Sequence, residues 1–259
     1  MTISLTNVSY KYPEFSLEDV SFSLNGGEIL AITGKNGSGK TTLINLLSGL
    51  IKAKSGQILI DGEALNKSKI VTGVVQQNPD NQIIFNKVYD DIAFTLKNYK
   101  INKEEFKDRI ESALSEVNML EFKNSETFSL STGQKQRVVI ANMLAIRPKL
   151  IIFDEATAYL DQTTKNIIYK LFQKLKTQGV SVIFATNALE EIVYADKVLV
   201  MKRGRVKAFQ ETRNIIKNLS VFEEENLPLK LKLLNMLNLC ESSDEEILKL
   251  IGGILKWYF

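Results

Sequence analysis

The stretch EILAITGKNGSGKTTLINLLSGL, residues 28–50, decides the fold class. Residues 29–33 form an apolar run short enough for a buried strand, and residues 40–50 repeat apolar side chains at helical spacing. Between them GKNGSGKTT, residues 34–42, satisfies the spacing G-x-x-x-x-G-K-[ST]. A loop of this kind turns backbone N–H groups inward, and the helix behind it adds partial positive charge, so it cradles the phosphates of a nucleotide. Asn36, Gly37, Ser38, Gly39 and Thr42 fall in that cradle, Lys40 is spaced to reach the β and γ phosphates, and Thr41 to ligate Mg2+.

Two further motifs follow. LIIFDE, residues 150–155, is an apolar strand ending in paired carboxylates, which places both at the carboxyl edge of a sheet. Beside a phosphate loop, Asp154 is expected to hold Mg2+ and Glu155 to orient or deprotonate the attacking water. Alone, the pair reads as a solvated acidic turn. LSTGQKQR, residues 130–137, puts small residues and a hydroxyl at a helix start, which is a second anion-binding arrangement and equally a common helix cap.

Outward from these motifs, the first thirty residues alternate apolar and polar positions (Ile3, Leu5; Val20, Phe22, Leu24) and break at Pro13 and at Asn25-Gly26-Gly27, as a small antiparallel sheet does. Residues 57–60 before Asp61-Gly62 read as a further strand edge. Residues 88–118 turn helical, with Ile92 and Leu96, then Ile110, Leu114 and Val117. A helix from Gln134 leads to Arg147-Pro148, followed by strand 150–153, helix 163–178 and strand 180–185. Such alternation indicates a mainly parallel sheet covered on both faces. Residues 196–201 and 205–209 around Arg203-Gly204 read as a hairpin. After Ser220 the leucine-rich run and a capping box from Ser243 to Glu246 predict a small helical C-terminal domain.

Hydrophobic residues make up 44% and charged residues 24% of the 259, which is ordinary for a globular chain. The longest apolar runs fall short of the roughly 20 residues of a membrane span, and the start MTISLTNVSYKYP reads as no targeting signal. The net charge of +3, interspersed in sign, argues against nucleic acid as partner. The single cysteine, Cys240, makes no internal disulfide and fits a reducing compartment. The absence of histidine excludes imidazole bases, ligands and pH switches.

With these motifs in order, the chain resembles the ATP-binding cassette (ABC) family, whose signature loop reads LSGGQ and docks on the γ-phosphate held by the opposite subunit. The resemblance covers nearly the whole chain. It implies an α/β fold of the P-loop NTPase ABC ATPase type: an antiparallel β subdomain, a RecA-like parallel sheet core and a helical subdomain near residues 78–148, all within residues 1–219, then a helical C-terminal domain at 220–259. It implies ATP and Mg2+ as cofactors, Tyr12 as the aromatic on adenine, Gln77 as a contact to Mg2+ and water, and Ser131, Gly133, Gln134 and Asp161 as contacts offered across a dimer. Tyr12 alone also reads as a surface tyrosine beside Pro13, and Asp161 as a helix cap.

QNPDNQ at residues 77–82, followed by the helical run 88–94, is similar to the ATPases of energy-coupling-factor (ECF) importers of vitamins and transition-metal ions. That implies a second ABC ATPase subunit, as a heterodimer ahead of a homodimer, a transmembrane coupling subunit and a substrate-binding membrane subunit, with this chain peripheral on the cytoplasmic face. A regulatory nucleotide-binding module and a soluble ABC protein of translation or DNA repair are the other readings. Two positions depart from the family pattern: Asn187 stands where the switch histidine is expected, and Thr132 where the signature has its first glycine. Asparagine supplies a neutral hydrogen bond in place of a charged one, and a threonine Cβ is expected to restrict the backbone.

Overall fold

The computed structural model describes residues 1–65, 71–222 and 227–236; Cys240, the Ser243 capping box and the tail Trp257, Tyr258 and Phe259 lie outside the described residues. In chain order, β1 (Thr2–Lys11) and β2 (Ser16–Asn25) pair antiparallel, and β3 (Ile29–Thr33) runs into α1 (Lys40–Leu47). A hairpin of β4 (Ser55–Ile60) and β5 (Glu63–Ala64) precedes β6 (Thr72–Val75). Then come α2 (Val88–Asn98), α3 (Phe106–Glu116) and α4 (Thr132–Ala145). The chain continues through β7 (Leu150–Asp154), α5 (Gln162–Thr177), β8 (Ser181–Thr186), β9 (Lys197–Lys202), β10 (Arg205–Glu211), α6 (Thr212–Lys217) and α7 (Leu229–Met236).

The strands form two sheets. The outer one is antiparallel, in the order β2-β1-β4-β5; the central one runs β10-β9-β3-β8-β7-β6 and is parallel except where β10 pairs with β9. Successive side chains of a strand point to opposite faces, and here both faces are covered. Ile29, Ala31, Ile151, Phe153, Val182 and Phe184 pack toward α2 to α5, whereas Leu30, Ile32, Leu150, Ile152, Ile183 and Ala185 pack toward α1 and the outer sheet. This double burial explains why these strands read as unbroken apolar runs. Each such side chain, taken from water, contributes roughly 1.5–3 kcal/mol.

The α/β architecture is the expected one, with differences of detail. The helix read over residues 40–50 ends at Leu47, because Ser48 is its cap and Gly49 turns left-handed at φ 75°. β6 has no counterpart in the sequence reading: it is a four-residue strand that carries Gly73 and, among the described residues, pairs with β7 alone. A Cβ on Gly73 would come within 3.0 Å of the Met143 side chain, so this glycine lets α4 lie close to the sheet. Leu231 and Leu234 of α7 join the same buried cluster as Ile215 and Ile216 of α6. Among the described residues no helix is long and apolar enough to cross a membrane.

Candidate active site

The carboxyl ends of β3, β8, β7 and β6 lie side by side, as such edges do in open parallel sheets, and they open on a cleft of about 790 Å³. Gly34 follows β3. Its left-handed φ of 149° is one that a side chain rarely adopts, and a Cβ there would fall 2.3 Å from the Met201 carbonyl oxygen. Gly39, at φ 108°, precedes α1 and approaches Phe15, which lines the cleft beside Tyr12. α1 begins without a side-chain cap among the described residues, which leaves its first N–H groups to a ligand. Asn36, Gly37, Thr41 and Thr42 line the same cleft. The Ser38 hydroxyl is buried with no partner among the described residues.

Lys40 is buried and reaches back over its own loop. Its Nζ donates to the Gly34 carbonyl at 2.8 Å and to Asn187 Oδ1 at 2.7 Å, and lies 3.4 Å from a Glu155 oxygen. Asn187, just past β8, donates through Nδ2 to Glu155 Oε1 at 2.8 Å. Gln77, just past β6, sits 3.4 Å from the other Glu155 oxygen. Glu155 holds a left-handed φ of 50°, a conformation that costs an ordinary residue about 1–2 kcal/mol and recurs at functional sites. Thr41 and Asp154 face each other, hydroxyl to carboxylate, at 3.4 Å. Burial pushes the Asp154 carboxyl above its usual range, opposed by the Thr41 hydrogen bond and reinforced by the neighbouring Glu155 charge.

This all-oxygen set of a hydroxyl, a carboxylate and an amide oxygen fits Mg2+, which takes few protein ligands and completes its shell with phosphate and water. The cationic Lys40, the uncapped helix and the glycine loop fit a polyphosphate. Tyr12 lines the cleft, is 38% exposed and meets Tyr10 edge-on at 4.8 Å, so one ring face is available to a flat ligand.

The remaining expected residues lie elsewhere. Ser131, Gly133, Gln134 and Asp161 are not among the cleft-lining residues. Ser131 caps α4: its Oγ accepts from Gln134 N–H at 3.3 Å while Gln134 Oε1 accepts from Ser131 N–H at 2.9 Å. Thr132 opens α4 in ordinary helical conformation, so the expected backbone restriction from its Cβ does not arise. Asp161 caps α5, accepting from the Thr164 N–H and hydroxyl at 2.9 and 2.8 Å, and these bonds hold its carboxyl below its usual range. A Cβ on Gly133 would lie 3.2 Å from the Thr164 hydroxyl, so the two helix starts abut.

The QNPDNQ segment is turn chemistry with added ties. Asn78 caps the turn Pro79–Asn81, and Gln82 bonds back to Gln76 N–H and the Val74 carbonyl of β6. Lys135 pairs with Asp80 at 2.7 Å and Gln136 donates to the Gln76 carbonyl, joining this segment to α4. The sequence reading missed Phe15, which carries no motif. It also missed the buried Asp91, which accepts from the Ile84 and Phe85 N–H groups and from Asn142.

Residues 17–158 match the ABC transporter family model. The chain is 41% identical over 223 residues to the energy-coupling factor transporter ATP-binding protein EcfA1 of Streptococcus pneumoniae, covering 82% of this chain and 81% of that protein. EcfA1 of Oenococcus oeni is 39% identical over 236 residues, covering 88% and 85%. Among solved structures, cbiO1 of Clostridium perfringens, described as part of the ABC transporter complex cbiONQ, superposes with a TM-score of 0.76 at 33% identity over 88% of this chain and 95% of that one. A dimeric ATP-binding cassette bound to ADP and Pi superposes at 0.72 with 28% identity, over 81% and 98%. By its family match, its relatives and the ordered loops around its cleft, the chain belongs to the ABC transporter family of ATP-binding proteins.

Proposed function

We propose that this chain binds and hydrolyses ATP as one of two unequal ATPase subunits driving an ECF-type importer of vitamins or transition-metal ions. The observation that carries the reading is the contact chain from Lys40 through Asn187 and Glu155 to Gln77, gathered from four strand ends at the mouth of one cleft. The similarity to EcfA1 proteins and to cbiO1 supports the importer class.

MgATP enters with its adenine on Tyr12 and its phosphates on residues 34–42. Lys40 exchanges the Gly34 carbonyl and Asn187 for the β and γ phosphates, which frees the Asn187 carboxamide. Thr41, Asp154 and Gln77 would hold the magnesium that accompanies ATP, which would supply charge stabilisation for phosphoryl transfer. Glu155 orients and deprotonates the water. Ser131, Gly133 and Gln134 serve the ATP of the facing subunit, and Asp161 meets that subunit at the interface. A transmembrane coupling subunit and a substrate-binding membrane subunit place the chain peripherally on the cytoplasmic face.

Asn187 favours a second reading within the same frame, a catalytically weak site kept for regulation. Neutral asparagine offers the γ-phosphate no charge-assisted bond, so this chain's own site is the slower of the two. In the reconstituted complex, Asn187→His is expected to raise turnover about tenfold, the scale of replacing a neutral hydrogen bond by a charge-assisted one in the transition state. An unchanged rate refutes the asymmetry. Native mass spectrometry of the complex is expected to find two different cassettes in equal number; two copies of this chain would refute the heterodimer.

A further inference from the structure

Glu191 is a buried carboxylate that the mechanism above does not use. It lies in the short helical turn Leu189–Tyr194, is 3% exposed, and its partners come from three separate segments of the site. Its Oε2 accepts from Thr186 Oγ1 at 2.7 Å and from Thr157 Oγ1 at 3.0 Å, and its Oε1 accepts from Lys165 Nζ at 2.9 Å. Thr186 ends β8 immediately before Asn187, Thr157 follows Glu155 by two positions, and Lys165 lies on the first turn of the helix that Asp161 caps.

The hydroxyl of Thr186 is a two-way link. It donates to Glu191 and accepts from Ala188 N–H at 3.0 Å, bracing the backbone on the far side of Asn187. The turn carrying Glu191 is also pinned to α5, where Tyr194 stacks on Tyr169 at 3.9 Å with an interplanar angle of 8°. A buried carboxylate is costly unless fully paired, and a well-packed apolar residue would hold a turn as firmly. What an apolar residue would not supply is a shared acceptor for hydroxyls on both sides of the Asn187–Glu155 pair.

We infer that Glu191 is a positioning residue for ATP hydrolysis. It fixes the Asn187 carboxamide and the segment after Glu155 relative to each other, and ties both to the Asp161-capped helix. The inference rests on the ATPase reading. It acts through Thr186 and Thr157 and touches no substrate, so it sets the rate of the chemical step and leaves nucleotide affinity alone.

The test compares Glu191→Leu, which removes the shared acceptor, Thr186→Val and the double variant in the assembled complex with MgATP, reading kcat, ATP Kd and thermal midpoint. Each single variant is expected to lower kcat about tenfold, the scale of a small misplacement of reacting groups, with Kd held within about twofold. The double variant is expected to be no slower than the slower single, because both cut one contact chain. Wild-type kcat in either folded variant overturns the inference, as do additive losses or a loss of ATP binding equal to the loss of kcat. Thr186→Val keeps the Glu191–Lys165 pair and decides the matter alone if Glu191→Leu does not fold. A wild-type complex without ATP turnover sinks the ATPase reading and this inference with it, and is told apart by needing no variant.

Discussion

The two glycine-bearing loops of this chain are supported in opposite ways. The phosphate loop at residues 34–42 hangs from a fully buried strand, leads into a helix without a side-chain cap among the described residues, and meets Lys40, Asn187, Glu155 and Gln77 within the chain. The loop at residues 130–134 closes on itself: Ser131 and Gln134 satisfy each other, and Gly133 abuts the cap of α5. The Ser131 hydroxyl accepts in that box, so its proton remains to be donated. One loop is completed by its own chain; the other is folded, locally satisfied and still has donors to give. That contrast is what a shared-site dimer requires of each half.

The roots of the loops differ too. Residues 34–42 are rooted in the central sheet, whereas residues 130–134 are rooted on α4, which is held by α2 and by the buried Asp91 joint at Asn142.

The comparison can be attacked at several strengths. On the first side, Glu155→Gln is expected to lower single-turnover hydrolysis in this chain's own site at least a hundredfold while ATP remains bound. Undiminished cleavage there would show that the carboxylate is not the base. On the second side, Asp91→Ala leaves three donors unpaired, one of them in a buried bond and two in part-buried ones, and is expected to cost about 1–3 kcal/mol, read from denaturant unfolding. A cost below about 0.5 kcal/mol would mean the joint does not hold α4.

Asp91→Asn sharpens that point. Burial pushes the Asp91 carboxyl above its usual range, opposed by its three hydrogen bonds. The unfolded chain therefore ionises first as pH rises, and stability is lost from near 3.8 up to the raised native value. Asparagine removes that loss. Its Oδ1 accepts from the Ile84 and Phe85 N–H groups, and a flipped Asn142 presents its otherwise unpartnered Oδ1 to the new amide. The variant is expected to be as stable as wild type or more so at pH 7, with its stability relative to wild type rising as pH rises through that window; a relative stability that falls there would refute the assignment. The smallest effect is expected from Thr132→Gly. Thr132 already has helical geometry, so restoring the family glycine should change turnover less than about twofold and stability by under about 0.5 kcal/mol. A large gain in rate would restore the threonine as a handicap.

Much of this was legible in the sequence. β3, β7 and β8 stood out because burial on both faces makes each an uninterrupted apolar run. Lys40 and Thr41 stood out through the spacing of the glycine loop, Asp154 and Glu155 because they end the apolar run of β7, and Asn187 because the family resemblance put a histidine there. The sheet order that gathers them depends on long-range pairing and has no local signature. β6 escaped because four residues with a glycine show too little periodicity, and α1 was overextended because Ser48-Gly49 was read through. The Glu191 cluster escaped for another reason: Thr157, Thr186 and Lys165 are unremarkable singly and acquire meaning only when packing brings them to one carboxylate.

The central claim is that the two loops serve two different nucleotides. Its most direct test is Ser131→Arg, with ATP binding to the isolated chain and ATP-driven assembly with the partner ATPase subunit measured side by side. The expected result is an ATP Kd within about twofold of wild type, since no cleft contact is lost, together with abolished assembly. Loss of ATP binding by the isolated chain, or assembly that proceeds as before, would contradict it.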